Sequence, residues 1–304
     1  MHVRSLEWVD RFQRYLTTER RVSPHTASNY GRDIAALVAY CDGEGLQHWR
    51  DVLVPQVRRF AAQSHGGGLA PQSVQRRLSA VRTFMKFLIR EGIIGGNYAE
   101  AVQAPKSARK LPSVLDVDQM TRLIEIPGSD IYAIRDRAVM ELLYSSALRL
   151  AELTKLNCGD IDFGDQVVRV LGKGNVARIV PVGSFAIKAL QGWLRVRGQV
   201  AKDGEQAVFV GRGGRRLGPR AVQVRVDYWA RRQGIAVHVH PHMFRHACAT
   251  HVLESSRSIR DVQDLLGHAS ISTTQIYTHL NAQHLVEEYE KAHPRAHRVK
   301  DTHE

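Results

Sequence analysis

Apolar positions recur at helical intervals through the first third of the chain. Leu6, Val9, Phe12 and Leu16 share one face of a predicted helix, and Tyr30, Ile34, Leu37 and Cys41 share one face of the next. Ser23-Pro24 stands before the second stripe as an N-cap followed by proline at the first helical position, where its missing N–H costs no hydrogen bond. A shorter helix is expected after Pro55. Gly66-Gly67-Gly68 interrupts the pattern, Pro71 restarts it, and Val74, Leu78, Val81, Met85 and Leu88 form a long apolar stripe. The pattern predicts an all-helical domain over residues 1–103.

Residues 104–113 contain two prolines and three cations with little to bury. That composition reads as an extended linker able to lie along a nucleic-acid backbone. A second domain, 114–304, begins where Asp116 caps a helix with Gln119 three residues on, a capping-box spacing. Ile131 to Tyr144 reads as a strongly apolar helix, and Glu152 and Leu153 begin another after Arg149. Two β-rich runs, Gln166–Leu171 and Val176–Pro181, flank Gly172-Lys173-Gly174-Asn175, which tolerates positive φ; a tight hairpin with Lys173 at its tip is expected. Gly211–Gly218 reads as a loop, followed by a helix from Pro219. The fold class expected is mainly α, with a small β-sheet in the second domain.

Charge narrows the partner. The chain has 304 residues and a formal net charge of +13, with pI near 10.0, so an acidic partner, nucleic acid first, is expected over a merely soluble basic protein. Arg76, Arg77, Arg82 and Lys86 occupy much of the fourth helix outside its apolar stripe; they read either as a solvated face or as a phosphate-facing one. Arg220 and Arg225, after Pro219, are candidates for contact with bases or phosphates. Three widely spaced cysteines, Cys41, Cys158 and Cys248, fit neither a disulfide framework nor a CxxC metal site and suit a reducing cytoplasm. Met1–Glu7 lacks the apolar core of a signal peptide, and no uncharged apolar run approaches the roughly 18 residues of a membrane span. A cytoplasmic protein without a membrane role is expected.

The densest chemistry lies in the last fifth: His242-Met243-Phe244-Arg245-His246, then Leu266-Gly267-His268, then Thr273-Thr274-Gln275-Ile276-Tyr277. Imidazoles, a guanidinium and a phenol on a basic chain suggest attack on a phosphodiester, with the phenolate as nucleophile and cations holding the phosphate. Such a reaction needs arginine forks for the non-bridging oxygens and an acid for the leaving oxygen. Taken singly, each residue has a plainer reading. Arg149 could be a structural ion-pair partner of Glu152 or Asp160, Lys173 a solvated turn lysine, His268 a helix cap, and Tyr277 a packed aromatic. His242 and His246, four apart, could ligate zinc, but no HExxH pattern surrounds them and Cys248 sits at poor spacing in the same helix.

Taken together, these segments resemble the active site of the tyrosine recombinase (phage integrase) family. Ser145-Ser-Ala-Leu-Arg149-Leu-Ala-Glu-Leu and Gly172-Lys173-Gly174 are similar to its upstream elements, in the right order. The resemblance covers essentially the whole chain. Within the family, Leu266–Leu280 and Ala292-His-Pro-Arg-Ala296 are similar to the Xer chromosome-dimer resolvases, and Asn281-Ala-Gln-His-Leu285 is more similar to the XerC branch than to the XerD branch.

The resemblance implies that Tyr277 is the nucleophile, that Arg149 and Arg245 clamp the phosphate, and that Lys173 protonates the leaving 5′ oxygen. It implies that His242 assists proton transfer, that His268 hydrogen-bonds the phosphate, and that His246 is a buried support behind them. It further implies a two-domain, C-shaped DNA clamp with an N-terminal helical bundle of SAM-like type. No cofactor or metal is implied. The implied partners are double-stranded DNA with a dif-like site, an XerD-type recombinase in a cyclic heterotetramer, and the translocase FtsK, with a C-terminal helix (Leu285–Ala292) docking onto a neighbouring protomer.

Three departures stand out. Ala147 occupies a position where the family usually has glycine, which matters if the backbone there needs φ > 0. Met243-Phe244 replaces a pair ending in leucine, and Ser256-Arg257 a common Ser-Gly. The competing readings are a phage or transposon integrase of the same family, a type IB topoisomerase, an inert architectural DNA-binding protein, and a zinc-dependent DNA-binding protein.

Overall fold

The computed structural model describes residues 1–105, 115–172, 177–256 and 293. The chain divides into two compact units, Met1–Leu111 and Pro112–Glu304.

The described residues of the first unit form four α-helices, α1 (Val3–Thr18), α2 (Pro24–Gly43), α3 (Val54–Gly66) and α4 (Pro71–Arg90). The side-chain oxygen of Ser23 accepts from the Thr26 amide and so caps α2, as its position before Pro24 predicts. Prolines sit in the first turns of α2, α3 and α4. The α4 stripe turns inward as expected, with Val74, Leu78, Val81, Phe84, Met85 and Leu88 all buried. Phe84 is the hub of the core. Phe12 meets it edge-on at 5.0 Å between ring centroids, and Trp49, from a short 3-10 turn, at 4.8 Å. Edge-to-face packing of this kind suits the ring quadrupoles. Trp49 also donates its indole N–H to the Ser5 carbonyl at 2.6 Å, so its polar edge is satisfied inside the core.

The second unit is organised around α6 (Ile131–Ser145), which follows α5 (Val117–Ile124). Asp116 and Gln119 make both bonds of a capping box on α5. From Ala138 to Ser145 every residue of α6 is buried, so α6 is a central rod rather than an amphipathic surface helix. Around it pack α7 (Leu150–Lys155), α8 (Ser184–Arg197), α9 (Pro219–Arg232) and α10 (Pro241–Ser256).

Three antiparallel strands, β1 (Ile161–Asp162), β2 (Val167–Leu171) and β3 (Ala177–Pro181), lie in the order β1-β2-β3. The two predicted β-runs are β2 and β3, paired in register from Val167↔Pro181 to Leu171↔Ala177. The two-residue β1 was not legible, since a strand that short carries no alternation to read. Among the three cysteines, all free, Cys41 is buried in the first unit and Cys248 in the second. Burial pushes both thiols up to about 12.

Candidate active site

The site is built where α6 ends. Ser145 and Ser146, both buried, stitch this turn to the far end of β3. The Ser146 hydroxyl donates to the Pro181 carbonyl at 2.8 Å, and the Ser145 hydroxyl accepts from the Gly183 amide at 2.8 Å. Ala147 follows in the left-handed region at φ +47, fully buried. That is the conformation for which glycine is the default residue, so the departure noted at this position is a strained one. The turn delivers Arg149 to the N-cap position of α7. Glu152, three residues on, reaches back to accept from the Arg149 amide at 2.9 Å, one half of a capping box.

Glu152 is the anionic centre of the site, and its side chain is only 4% exposed. Arg149 donates to it through Nη1 at 3.0 Å. Arg178, on β3, donates bidentately through Nη1 at 2.7 Å and Nη2 at 3.0 Å. Burial opposes ionisation of Glu152, but the hydrogen bonds from Arg178 and the Arg149 amide outweigh it and hold the carboxyl below its usual value. Arg178 was not singled out from the sequence. Its only signal is an arginine in a β-rich run, placed by register opposite the buried Val170. The ion-pair reading of Arg149 is met by Glu152; Asp160 instead accepts from the Asn157 amide.

Helix α10 supplies the other half. Phe244, Ala247 and Cys248 are fully buried and Met243 nearly so, which leaves Arg245 partly exposed at the core boundary. Its Nη1 donates to the Ala147 carbonyl at 2.6 Å. Desolvation, and next the charge of Arg149, push the Arg245 guanidinium down to about 10. Two arginines from separate elements are therefore close enough to repel, a condition that an anion between them relieves. His242 is exposed at the start of α10, with its ring 6.3 Å from that of His240. Burial, then the charges of His242 and His238, lower the His240 pKa.

His246 was expected to be buried; it is exposed. At i,i+4 it shares the outward face of α10 with His242, and the buried imidazole of this helix is His251, whose Nδ1 lies 2.9 Å from the Tyr144 hydroxyl. His293 packs edge-on against the same Tyr144 ring at 4.7 Å. Among the described residues no group of three or more His, Cys, Asp or Glu is placed to hold a metal ion. Lys173, His268 and Tyr277 lie outside the described residues, as does the helix expected at Leu285–Ala292.

The cations read as a DNA surface divide into two kinds. Arg77 bonds Asp33 and Ser64, and Arg82 donates to the Ala99 and Val102 carbonyls at 3.1 and 2.6 Å, so both tie their own domain together. Arg76 pairs with Asp33 and Lys86 with Glu100, yet both side chains remain largely exposed. On α9, Arg220 is exposed, with a 3.4 Å contact to Gln223. Arg225 is turned inward to the buried Asp136 at 2.5 Å, which also accepts from Arg135 and from the Trp229 indole.

Known proteins share this plan. The phage integrase family model matches residues 113–284, and the N-terminal SAM-like domain of phage integrases matches residues 9–92. Tyrosine recombinase XerC of Xanthomonas campestris pv. campestris (strain B100) is 48% identical over 298 residues, which is 98% of this chain and 92% of that protein. Tyrosine recombinase XerC of Pseudomonas putida is 47% identical over 289 residues, 95% of this chain and 96% of its own length. Among solved structures, XerH recombinase bound to a palindromic difH substrate, a post-cleavage complex, aligns with a TM-score of 0.73 at 20% identity, covering 93% of this chain and 94% of the other. A lambda integrase(75-356) dimer bound to a COC' core site gives 0.68 at 20%, covering 91% and 100%. At that identity the two structures speak for the fold, whereas identity near one half over almost the full length speaks for descent. The chain belongs to the phage integrase family, as a site-specific tyrosine recombinase, an enzyme of DNA strand exchange, similar to the XerC members.

Proposed function

We propose that this recombinase resolves chromosome dimers at a dif-like site, cutting each strand through a 3′-phosphotyrosyl intermediate. Tyr277 Oη attacks the scissile phosphorus and the P–O5′ bond breaks. His242 assists removal of the phenolic proton, and Lys173 gives a proton to the departing 5′ oxygen. Arg149 and Arg245 bind the non-bridging oxygens, where charge gathers in the transition state, and His268 adds a hydrogen bond. The ester conserves the energy of the broken bond. A 5′ hydroxyl from the partner strand reverses the step, releasing Tyr277, so neither ATP nor a metal ion is required.

The observation that carries this reading is the convergence of Arg149 and Arg245. One guanidinium is held by a carboxylate and the other by a backbone carbonyl, and the charge of Arg149 helps to lower the pKa of Arg245. Such a site prefers an anion.

Both domains would contribute to binding the duplex. Arg76, Lys86 and Arg220 keep enough exposure to meet phosphates; Arg77, Arg82 and Arg225 would act mainly by holding those surfaces in shape. Kinship with XerC members suggests a heterotetramer with an XerD-type partner, control by FtsK, a C-terminal helix docked in trans, and a cytoplasmic location.

Covalent trapping tests the chemistry. A nicked dif-like duplex, whose short cut strand diffuses away, is mixed with the protein and partner in EDTA and run on a denaturing gel beside Tyr277→Phe. A protein–DNA band that EDTA spares and Tyr277→Phe abolishes is expected. Absence of the band, with tight DNA binding demonstrated, would remove the proposal in favour of an architectural role.

A further inference from the structure

We propose that Arg178 is a positioning residue for phosphate binding: by holding Glu152, it leaves Arg149 free to engage the scissile phosphate. The inference rests on the reading of Arg149 as a phosphate ligand.

Three guanidinium groups, Arg149, Arg178 and Arg245, act on a single carboxylate, that of Glu152. Their division of labour follows from depth. Arg178 has a side chain 15% exposed and makes two bonds to Glu152, whereas Arg149 is 43% exposed and makes one side-chain bond. Oε1 accepts from Arg149 Nη1 and Arg178 Nη1; Oε2 accepts from the Arg149 amide and Arg178 Nη2. The lone-pair positions of the carboxylate are thus used, half of them by Arg178, which supplies two of the three guanidinium bonds. Among the described residues the arrangement leaves Arg178 Nε buried without a hydrogen-bond partner, so the residue is held here despite a local cost.

Without Arg178, Glu152 would be a buried carboxylate left with the charge of Arg245 and the hydrogen bonds of Arg149. Arg149 would then carry more of the neutralisation, its fork drawn inward and much of its charge cancelled. Arg178 also stands on β3, and Glu152 on α7 beside the Arg149 turn. Their bond therefore ties the β2–β3 pair, which leads into the segment carrying Lys173, to the turn that carries Arg149.

Charge rescue distinguishes this role from others. Single-turnover adduct formation on the nicked substrate is measured for wild type, Arg178→Met, Glu152→Gln and the double variant, each checked for wild-type thermal unfolding and DNA affinity. Arg178→Met is expected to slow cleavage by about a hundredfold, the scale of losing one preorganised charge contact. Adding Glu152→Gln is expected to recover about tenfold of that loss, because it removes the carboxylate that captures Arg149. If Arg178→Met unfolds, Arg178→Gln and Arg178→Gln/Glu152→Gln replace it, with the same rescue expected. Independent, multiplying losses in the double variant, or an unimpaired Arg178→Met, would overturn the inference while leaving the proposed function standing. A wild-type protein that forms no Tyr277-dependent adduct would remove both.

Discussion

Arg245 holds the main-chain oxygen of Ala147: Nη1 donates to it at 2.6 Å, across nearly a hundred residues of sequence. One arm of the guanidinium is thereby fixed to the turn that presents Arg149, and the remaining N–H groups keep the planar geometry suited to a phosphate. A lysine presents its three donors from a single nitrogen and lacks the planar fork that spans a carbonyl and two phosphate oxygens. Arg245→Lys is expected to lower single-turnover cleavage by about 10²–10³-fold while the unfolding midpoint stays near wild type. A variant that cleaves normally would show that charge alone suffices there.

Ala147 stands at φ +47 with its methyl fully buried. Replacing it with glycine relieves about 1–2 kcal/mol of left-handed strain. The change forfeits about 0.8 kcal/mol of methyl burial and a similar amount of backbone entropy. The opposing effects nearly cancel, so Ala147→Gly should lie within about 1 kcal/mol of wild type. Ala138→Gly, inside α6 and equally buried, lacks the relief and should cost about 2 kcal/mol. Urea unfolding of the two variants side by side reads the difference; equal costs would contradict the strain at Ala147.

Asp136 is buried with Arg135, Arg225 and Trp229 as donors. Asp136→Ala strands two cations in or near the core and should destabilise the second domain by about 3–5 kcal/mol. Arg225→Ala removes one charged hydrogen bond and should cost about 1.5–3 kcal/mol. Loss of DNA affinity by Arg225→Ala without loss of stability would assign the residue to the nucleic acid instead.

His251 gives stability a pH dependence of defined sign. Burial holds its pKa below 6.5 in the folded chain. The unfolded chain therefore binds the proton more readily, and stability falls as pH drops through 6.5 towards the lower folded value. Glu254, Asp116 and the hydrogen bond with the Leu115 backbone oppose the shift without reversing it. His251→Gln should flatten this acid limb, at a cost of about 1 kcal/mol near neutrality for the bond to Tyr144. Urea midpoints measured across the acid range test it; parallel curves for variant and wild type would place the dependence elsewhere.

Elements whose identity rests on local rules were legible. Ser23 before Pro24, Asp116 with Gln119, and the Val74–Leu88 stripe each name their role within a turn or two of helix; the β2 run missed its start by one residue, and both β-runs end where the strands end. Arg149 and Arg245 stood out through the pattern around them. What escaped depends on distant partners. Nothing near Arg178 announces that its counter-charge lies 26 residues earlier, at Glu152. Nothing near Arg77 or Arg82 tells a phosphate ligand from a clasp on a carboxylate or a carbonyl. His246 failed for a different reason: four residues on from the exposed His242 it falls on the same outward face, and the inward imidazole came from His251.

The two buried thiols make the molecule its own clock. Cys41 and Cys248 sit in separate units, and both are inert to alkylation while their surroundings stay closed. Each reacts only during an excursion that bares it, so its labelling rate converts to an opening free energy for its own neighbourhood. Cys248 lies one turn beyond Arg245, and its rate reports how often the helix holding that arginine lets go. Cys41 reports the same for the first bundle. Mass spectrometry of a single time course would thus show whether one half breathes while the other keeps still.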